Sequence, residues 1–431
     1  MGTKRTYLDP IHQDIVLDGD KKAEALIINL IDTPEFQRLR RVHQLGVSFL
    51  TFQGAEHSRF THSVGVMHIA SRLFSLLHEK SGTRGGGSEE EKALVLATAL
   101  LHDIGHGPYS HVTESIVDYN HEQWSCQIIT GDTVVNQVLS RFDKKLPETI
   151  ASVLTKQYKK HYVCDIVSSQ LDCDRFDYLL RDSYMSGTAY GLFALNRILA
   201  SLEIDERGDR LVVSGEKGQT SVEHYLFARY SMYASVYYHK KNLAAKALLS
   251  KLVKRARELK DKVCFMDEPT GKWLTGQKLS VAEYIQLDDV QMTYHIKRWL
   301  ADPDPILADL AGRLINRRLF KAIRLAPDAA KKIDYLEAEA KKVVASLGLD
   351  PDYYVATAST GIRPYDLYSP EADNPQSNIM VRTDDGRIRE LSTLSPPVDA
   401  LIKGNFESHW LIYAAEAHEK VSRLQELAPV R

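Results

Sequence analysis

The apolar run Ala93-Leu94-Val95-Leu96-Ala97-Thr98-Ala99-Leu100-Leu101 leads straight into His102-Asp103-Ile104-Gly105-His106-Gly107-Pro108. Such a run predicts a buried helix from Ala93 to about His106, closed by Gly107-Pro108. On that helix residues 102, 103 and 106 share an arc of about 100°, so one face offers two imidazoles and a carboxylate to a single point. Two further ligand-type residues stand at a distance along the chain, His62 in Arg59-Phe60-Thr61-His62 and Asp174 in Asp172-Cys173-Asp174-Arg175. Four N/O ligands, His62, His102, Asp103 and Asp174, suit Mn, Fe, Co, Ni or Zn, and a carboxylate-rich open site also admits Mg. The ligand types leave the identity of the divalent ion open.

With 431 residues the chain can bury a large core, and its 55 Lys+Arg against 57 Asp+Glu create no global field for nucleic acid or membrane. An anionic ligand must be caught locally. The four cysteines form no CxxC pair, which argues against a zinc–thiolate cluster and fits a reducing, cytoplasmic setting. No apolar stretch reads as a signal peptide or a membrane span.

Periodicity predicts helices from Thr33-Pro34 onward and over His62–Leu77, with a Gly-rich mobile join between Ser81 and Glu91. Leu202–Ser214 reads as a small β-hairpin, followed by a long helix from Glu223 to about Lys260. Further helices are expected over Pro305–Arg324 and Ala329–Ser346. Strands are expected near Tyr353–Thr357 and Asn378–Arg382, then a last helix over Ser408–Leu427. The fold class is therefore mostly α. A helical core at about 30–340, within a first domain of residues 1–340, precedes a smaller α+β lobe at 341–431.

Two helices should carry polar faces. Asp174, Tyr178 and Asp182 are spaced i, i+4, i+8 with Arg175 in the same arc, and Arg229, Tyr233 and Tyr237 repeat the spacing. Arginine, carboxylate and phenol on shared faces suit a pocket for a sugar bearing phosphates.

The series His62, His102-Asp103, Asp174, embedded in Asp32–Arg40, His57–Ser63, His102–His111 and Asp172–Asp182, resembles the HD phosphohydrolase superfamily. Within it the chain is most similar to deoxynucleoside triphosphate (dNTP) triphosphohydrolases, the HD domain of the sterile-alpha-motif animal enzyme and its bacterial relatives. No sterile-alpha-motif module is expected ahead of it. The resemblance implies hydrolysis of a dNTP at its α-phosphorus to deoxynucleoside and inorganic triphosphate, on a divalent metal. It implies His121 as the catalytic acid, oriented by Glu114 where the family carries Asp. His106, His111 and Arg59 would face the phosphates. Arg175, where the family usually has Lys, and Arg229 would grip the outer phosphates. Gln44 and Asp182 would bind the 3′-hydroxyl, Tyr178 would support phosphate and sugar, and Leu45 would pack on sugar or base. Tyr237 would crowd out a 2′-hydroxyl, and Tyr233 replaces a histidine beside the base.

A regulatory site for GTP or a dNTP is implied at Arg5, Asp32, Gln37, Arg40, Arg317 and Lys321. Such sites lie between subunits, so a homo-oligomer, a tetramer above others, is implied too. The competing readings are an HD nuclease or phosphodiesterase on single-stranded nucleic acid, disfavoured by the balanced charge, and a non-catalytic nucleotide sensor, disfavoured by the intact ligand set.

Overall fold

The computed structural model describes residues 4–80, 87–117, 119–205, 209–361, 365, 378–404 and 406–425. A hairpin of β1 (Lys4–Asp9) and β2 (Gln13–Asp18) opens the chain, and its turn is held by Asp9 Oδ1, which accepts from the amides of Ile11 and His12 at 2.9 Å each. Helices α1 (Lys22–Ile31) and α2 (Pro34–Gln37) follow, the second capped by Thr33 with proline in its first turn.

The core is built around α3 (Arg59–Lys80) and α4 (Glu89–Leu101). Every residue of α4 from Ala93 to Leu101 is buried, as an apolar run without a polar stripe requires. The helix stops at Leu101 with His102 as its C-cap, so Asp103–Gly105 form a turn and the predicted continuation to His106 does not occur. The first six residues of the expected Ser81–Glu91 join lie outside the described residues.

Helices α5 (His111–Val117), α6 (His121–Thr130), α7 (Val134–Phe142), α8 (Leu146–Leu154) and α9 (His161–Val167) lead to α10 (Cys173–Met185) and α11 (Leu195–Ser201). The expected hairpin forms as β3 (Leu202–Ile204) and β4 (Leu211–Ser214). In place of one long helix there are two, α12 (Gly215–Met232) and α13 (Lys240–Leu259), separated by a π-turn over Tyr233–Tyr237.

Two sheets join chain on both sides of residue 340. β4 pairs in parallel with β7 (Met380–Arg382), which pairs with β8 (Ile388–Glu390). β9 (Glu407–Tyr413) lies between β5 (Lys321–Arg324) and β6 (Val355–Gly361), antiparallel to both. Segments 321–324 and 408–413 were expected to be helical. Their strand conformation is fixed by pairing across long sequence separations, which local pattern does not register.

Gly65 sets the distance between α3 and α10. A methyl group there would lie 2.0 Å from Asp177 Oδ1 and 2.5 Å from Arg181 Nη2, both buried. Gly65→Ala is expected to push these helices apart at a cost of about 1–3 kcal/mol, read as a lower urea midpoint with an unchanged slope.

Candidate metal and active site

Helices α3 and α10, together with the turn after α4, bring His62, His102, Asp103 and Asp174 to one place. His62 Nε2 lies 3.0 Å from Asp174 Oδ1 and 3.6 Å from Asp103 Oδ2. His102 Nε2 lies 3.5 Å from Asp174 Oδ1 and 3.4 Å from Asp103 Oδ1.

Tautomers decide what these contacts mean. His102 Nδ1 is 2.8 Å from the carbonyl of Ala99, which can only accept, so Nδ1 carries the proton. His62 Nδ1 is 2.8 Å from Asp177 Oδ2, and Asp177 is held well below the usual carboxylate range because Arg181, His12 and His62 outweigh its burial. With Nδ1 the donor in both rings, two Nε2 atoms face two carboxylates as lone pairs whenever the imidazoles are neutral, and neither Nε2 has an aligned hydrogen-bond partner. Converging acceptors in a buried site need protons or a cation between them. Without a cation they hold protons: burial alone would depress His62, but Asp174 and Asp177 raise it to about 10. Around an ion with bonds of about 2.1 Å, neighbouring ligand atoms sit about 3.0 Å apart in octahedral and 3.4 Å in tetrahedral geometry. His62, His102 and Asp103 form a group able to hold a metal ion, and Asp174 Oδ1 stands at 3.0 and 3.5 Å from the two Nε2 atoms, within the range of such an arrangement.

Beside this cluster Arg59 donates through Nη1 to Asp103 Oδ2 and through Nε to Ser110 Oγ at 3.0 Å. His106 Nε2 is 3.3 Å from Asp103 Oδ1, and its ring stacks on His121 with centroids 3.9 Å apart. Burial and the charge of Arg59 hold the His106 imidazole well below its ordinary range. His121 Nδ1 is 2.8 Å from Glu114 Oε1, which also accepts from the His121 amide at 3.1 Å. His106, Glu114 and His121 have ligand atoms within 4.8 Å of one another and form a second group able to hold a cation. The side chain of His111 lies outside the described residues.

A cavity of about 340 Å³ opens from the cluster. Its lining includes Arg59, Asp103, His106, His121 and Asp174 together with Gln44, Leu45, Tyr178, Asp182, Tyr233 and Tyr237. Asp182 accepts from the Tyr237 hydroxyl at 2.8 Å and pairs with His57 Nε2 at 2.7 Å.

Arg175 and Arg229 are not part of this lining, contrary to expectation. Arg175 turns back to Asp172 and the Ser169 carbonyl, and buried Arg229 donates to Gln170 Oε1 at 2.9 Å. Arg229 nonetheless stays beside the cavity's tyrosines, its guanidinium 5.9 Å from the centroid of the Tyr233 ring. The suggested regulatory residues lie elsewhere. Arg5 pairs with Asp32 at 2.6 Å, Arg40 donates to Gln37 at 2.8 Å, Arg317 binds the Leu50 carbonyl, and Lys321 stands exposed on β5.

Sequence reasoning missed Asp177, Arg181 and His12, which form the buried support of His62. The i, i+4 pair Asp177–Arg181 among Phe176, Leu179 and Leu180 is the signal that could have found it. It also missed Lys246, a lone cation in the apolar stretch Leu243–Leu249, which lines the cavity.

A mostly helical fold that gathers two histidines and two aspartates at one point has the architecture of an HD-type hydrolase. The HD domain family model matches residues 59–182, and that of the HD associated region matches residues 193–427. The chain belongs to the HD-domain phosphohydrolase family. It is 38% identical to the uncharacterized protein YwfO of Bacillus subtilis over 96% of this chain and 93% of that one. A phosphohydrolase from Bacteroides thetaiotaomicron superposes with a TM-score of 0.80 at 28% identity, covering 95% of this chain and 100% of that chain. The human deoxynucleoside triphosphate triphosphohydrolase SAMHD1 is 29% identical over 55% of this chain, a match that spans 42% of SAMHD1. Among the described residues no helix is long and apolar enough to cross a membrane.

Proposed function

We propose that this chain is a metal-dependent dNTP triphosphohydrolase, releasing deoxynucleoside and inorganic triphosphate. The observation that carries the reading is the convergence of His62 and His102 Nε2 with Asp103 and Asp174 beside a cavity that Asp182 and Tyr237 also line. His62, His102, Asp103 and Asp174 would hold the divalent ion, which when bound polarises a phosphoryl oxygen and activates water.

The chain's own groups account for the rest. Glu114 accepts from His121 Nδ1–H, fixing the ring so that Nε2 is the atom from which a proton passes to the leaving 5′-oxygen. Arg59 keeps positive charge beside the reacting phosphate. Each oxygen of Asp182 already accepts one bond, from Tyr237 or His57, and retains a lone pair for a sugar 3′-hydroxyl. Tyr237 then occupies the space a 2′-hydroxyl would need, favouring deoxyribose. The same reading extends to a GTP or dNTP activator held at Arg5, Asp32, Gln37, Arg40, Arg317 and Lys321 within a homo-oligomer.

The metal-loaded protein incubated with each dNTP, with and without GTP or a second dNTP, should yield deoxynucleoside and triphosphate in equal amounts by mass spectrometry. Monophosphate with pyrophosphate, or cleavage confined to single-stranded DNA, would overturn the assignment.

A further inference from the structure

Lys246 is the cavity's second cation besides Arg59, and Arg59 is paired with Asp103. It rises from α13 between the buried apolar residues Ala245, Leu248 and Leu249. Among the described residues no carboxylate or hydrogen-bond acceptor is paired with its ammonium, and burial lowers its pKa. An amine desolvated against a cavity without a counter-charge is costly and suits an acceptor brought by the ligand.

Its neighbours indicate which part of the ligand. Lys246 follows Tyr237 and Tyr238 in the chain, and α13 packs on the Ser48–Leu50 turn, which continues from Gln44-Leu45. These positions serve the sugar and base in the proposed function, on which this inference rests; the phosphate-side residues come from α3, α5, α6, α10 and the turn after α4, and of these α5 also packs on α13.

We propose that the Lys246 ammonium selects the base by donating to a carbonyl oxygen on its edge. An ammonium has three donors and no acceptor, so it matches guanine O6 and thymine O4 and opposes the amino groups adenine and cytosine carry at those positions.

The experiment measures kcat/KM for all four dNTPs in the native protein, Lys246→Met and Lys246→Arg. The native protein should favour dGTP and dTTP over dATP and dCTP by about tenfold or more, the scale of one charge-assisted hydrogen bond. Methionine should bring that ratio close to one, and arginine should retain most of it. An equal loss on all four nucleotides would overturn base selection and place the ammonium on the triphosphate; an unchanged ratio would remove Lys246 from the substrate altogether. If the native protein hydrolyses no dNTP, the functional reading itself fails, a result distinct from hydrolysis without selectivity.

Discussion

Asp174→Ala is expected to lose bound metal and turnover together, while His121→Ala keeps the metal and loses turnover. Asp174 Oδ1 lies close to both Nε2 groups, at 3.0 and 3.5 Å, so its removal takes away a negative charge that draws them to one point. The two histidines would be left facing Asp103 alone, too few anionic donors for a hard divalent ion. Activity should fall by at least about a thousandfold, the scale on which a catalytic constellation fails as a unit. His121 is held by Glu114, away from the four converging atoms, and its loss should cost about 100- to 10 000-fold in kcat, typical of a missing general acid. Metal content of the purified variants by atomic spectrometry separates the two roles. Equal metal loss in both would put His121 in the coordination shell, with the His106, Glu114 and His121 group as its site.

The candidate ligands were legible in the sequence because residue type carries their chemistry: an isolated His-Asp is common, but the series His62, His102-Asp103 and Asp174, with His102-Asp103 at the end of an apolar run, is specific. The helix carrying that run was legible for the same reason, since α4 is buried on every side. Its last turn was not, because the break at Leu101 depends on tertiary partners. Ser125 Oγ accepts from the Gly105 amide and donates to the His102 carbonyl, and Tyr284 donates to the Gly105 carbonyl from far along the chain. Of the sheet of β5, β9 and β6 only the start of β6 was legible, because the other two strands are matched only to their partners in it. Arg175 and Arg229 were placed in the pocket from helical spacing, which orients a side chain to a face but does not reveal that Asp172 and Gln170 claim it first. What sequence could not supply was the support behind the ligands, where a charge is explained by a partner more than a hundred residues away.

Asp177→Asn tests that support and should produce the second large effect. Four donors fill the two oxygens of Asp177: His12 Nε2 at 2.7 Å and Arg181 Nη2 at 2.9 Å on Oδ1, His62 Nδ1 and Arg181 Nε at 2.8 Å each on Oδ2. Asparagine keeps the shape but turns one oxygen into an amino group, so two donors must face a donor. If that group faces His62, the proton moves to Nε2 and the lone pair is no longer presented to the metal. If it faces His12 instead, buried Arg181 is left with a neutral partner there and with Asp9 as its remaining carboxylate at 2.8 Å. Metal affinity should fall by about 10- to 100-fold, as for other carboxylates behind a ligand histidine. The metal-free protein should also lose about 3–5 kcal/mol of unfolding free energy in urea, because one charge of a buried network is gone. A variant that unfolds earlier yet binds metal as tightly as the native protein would show that Asp177 braces α3 against α10 without orienting His62.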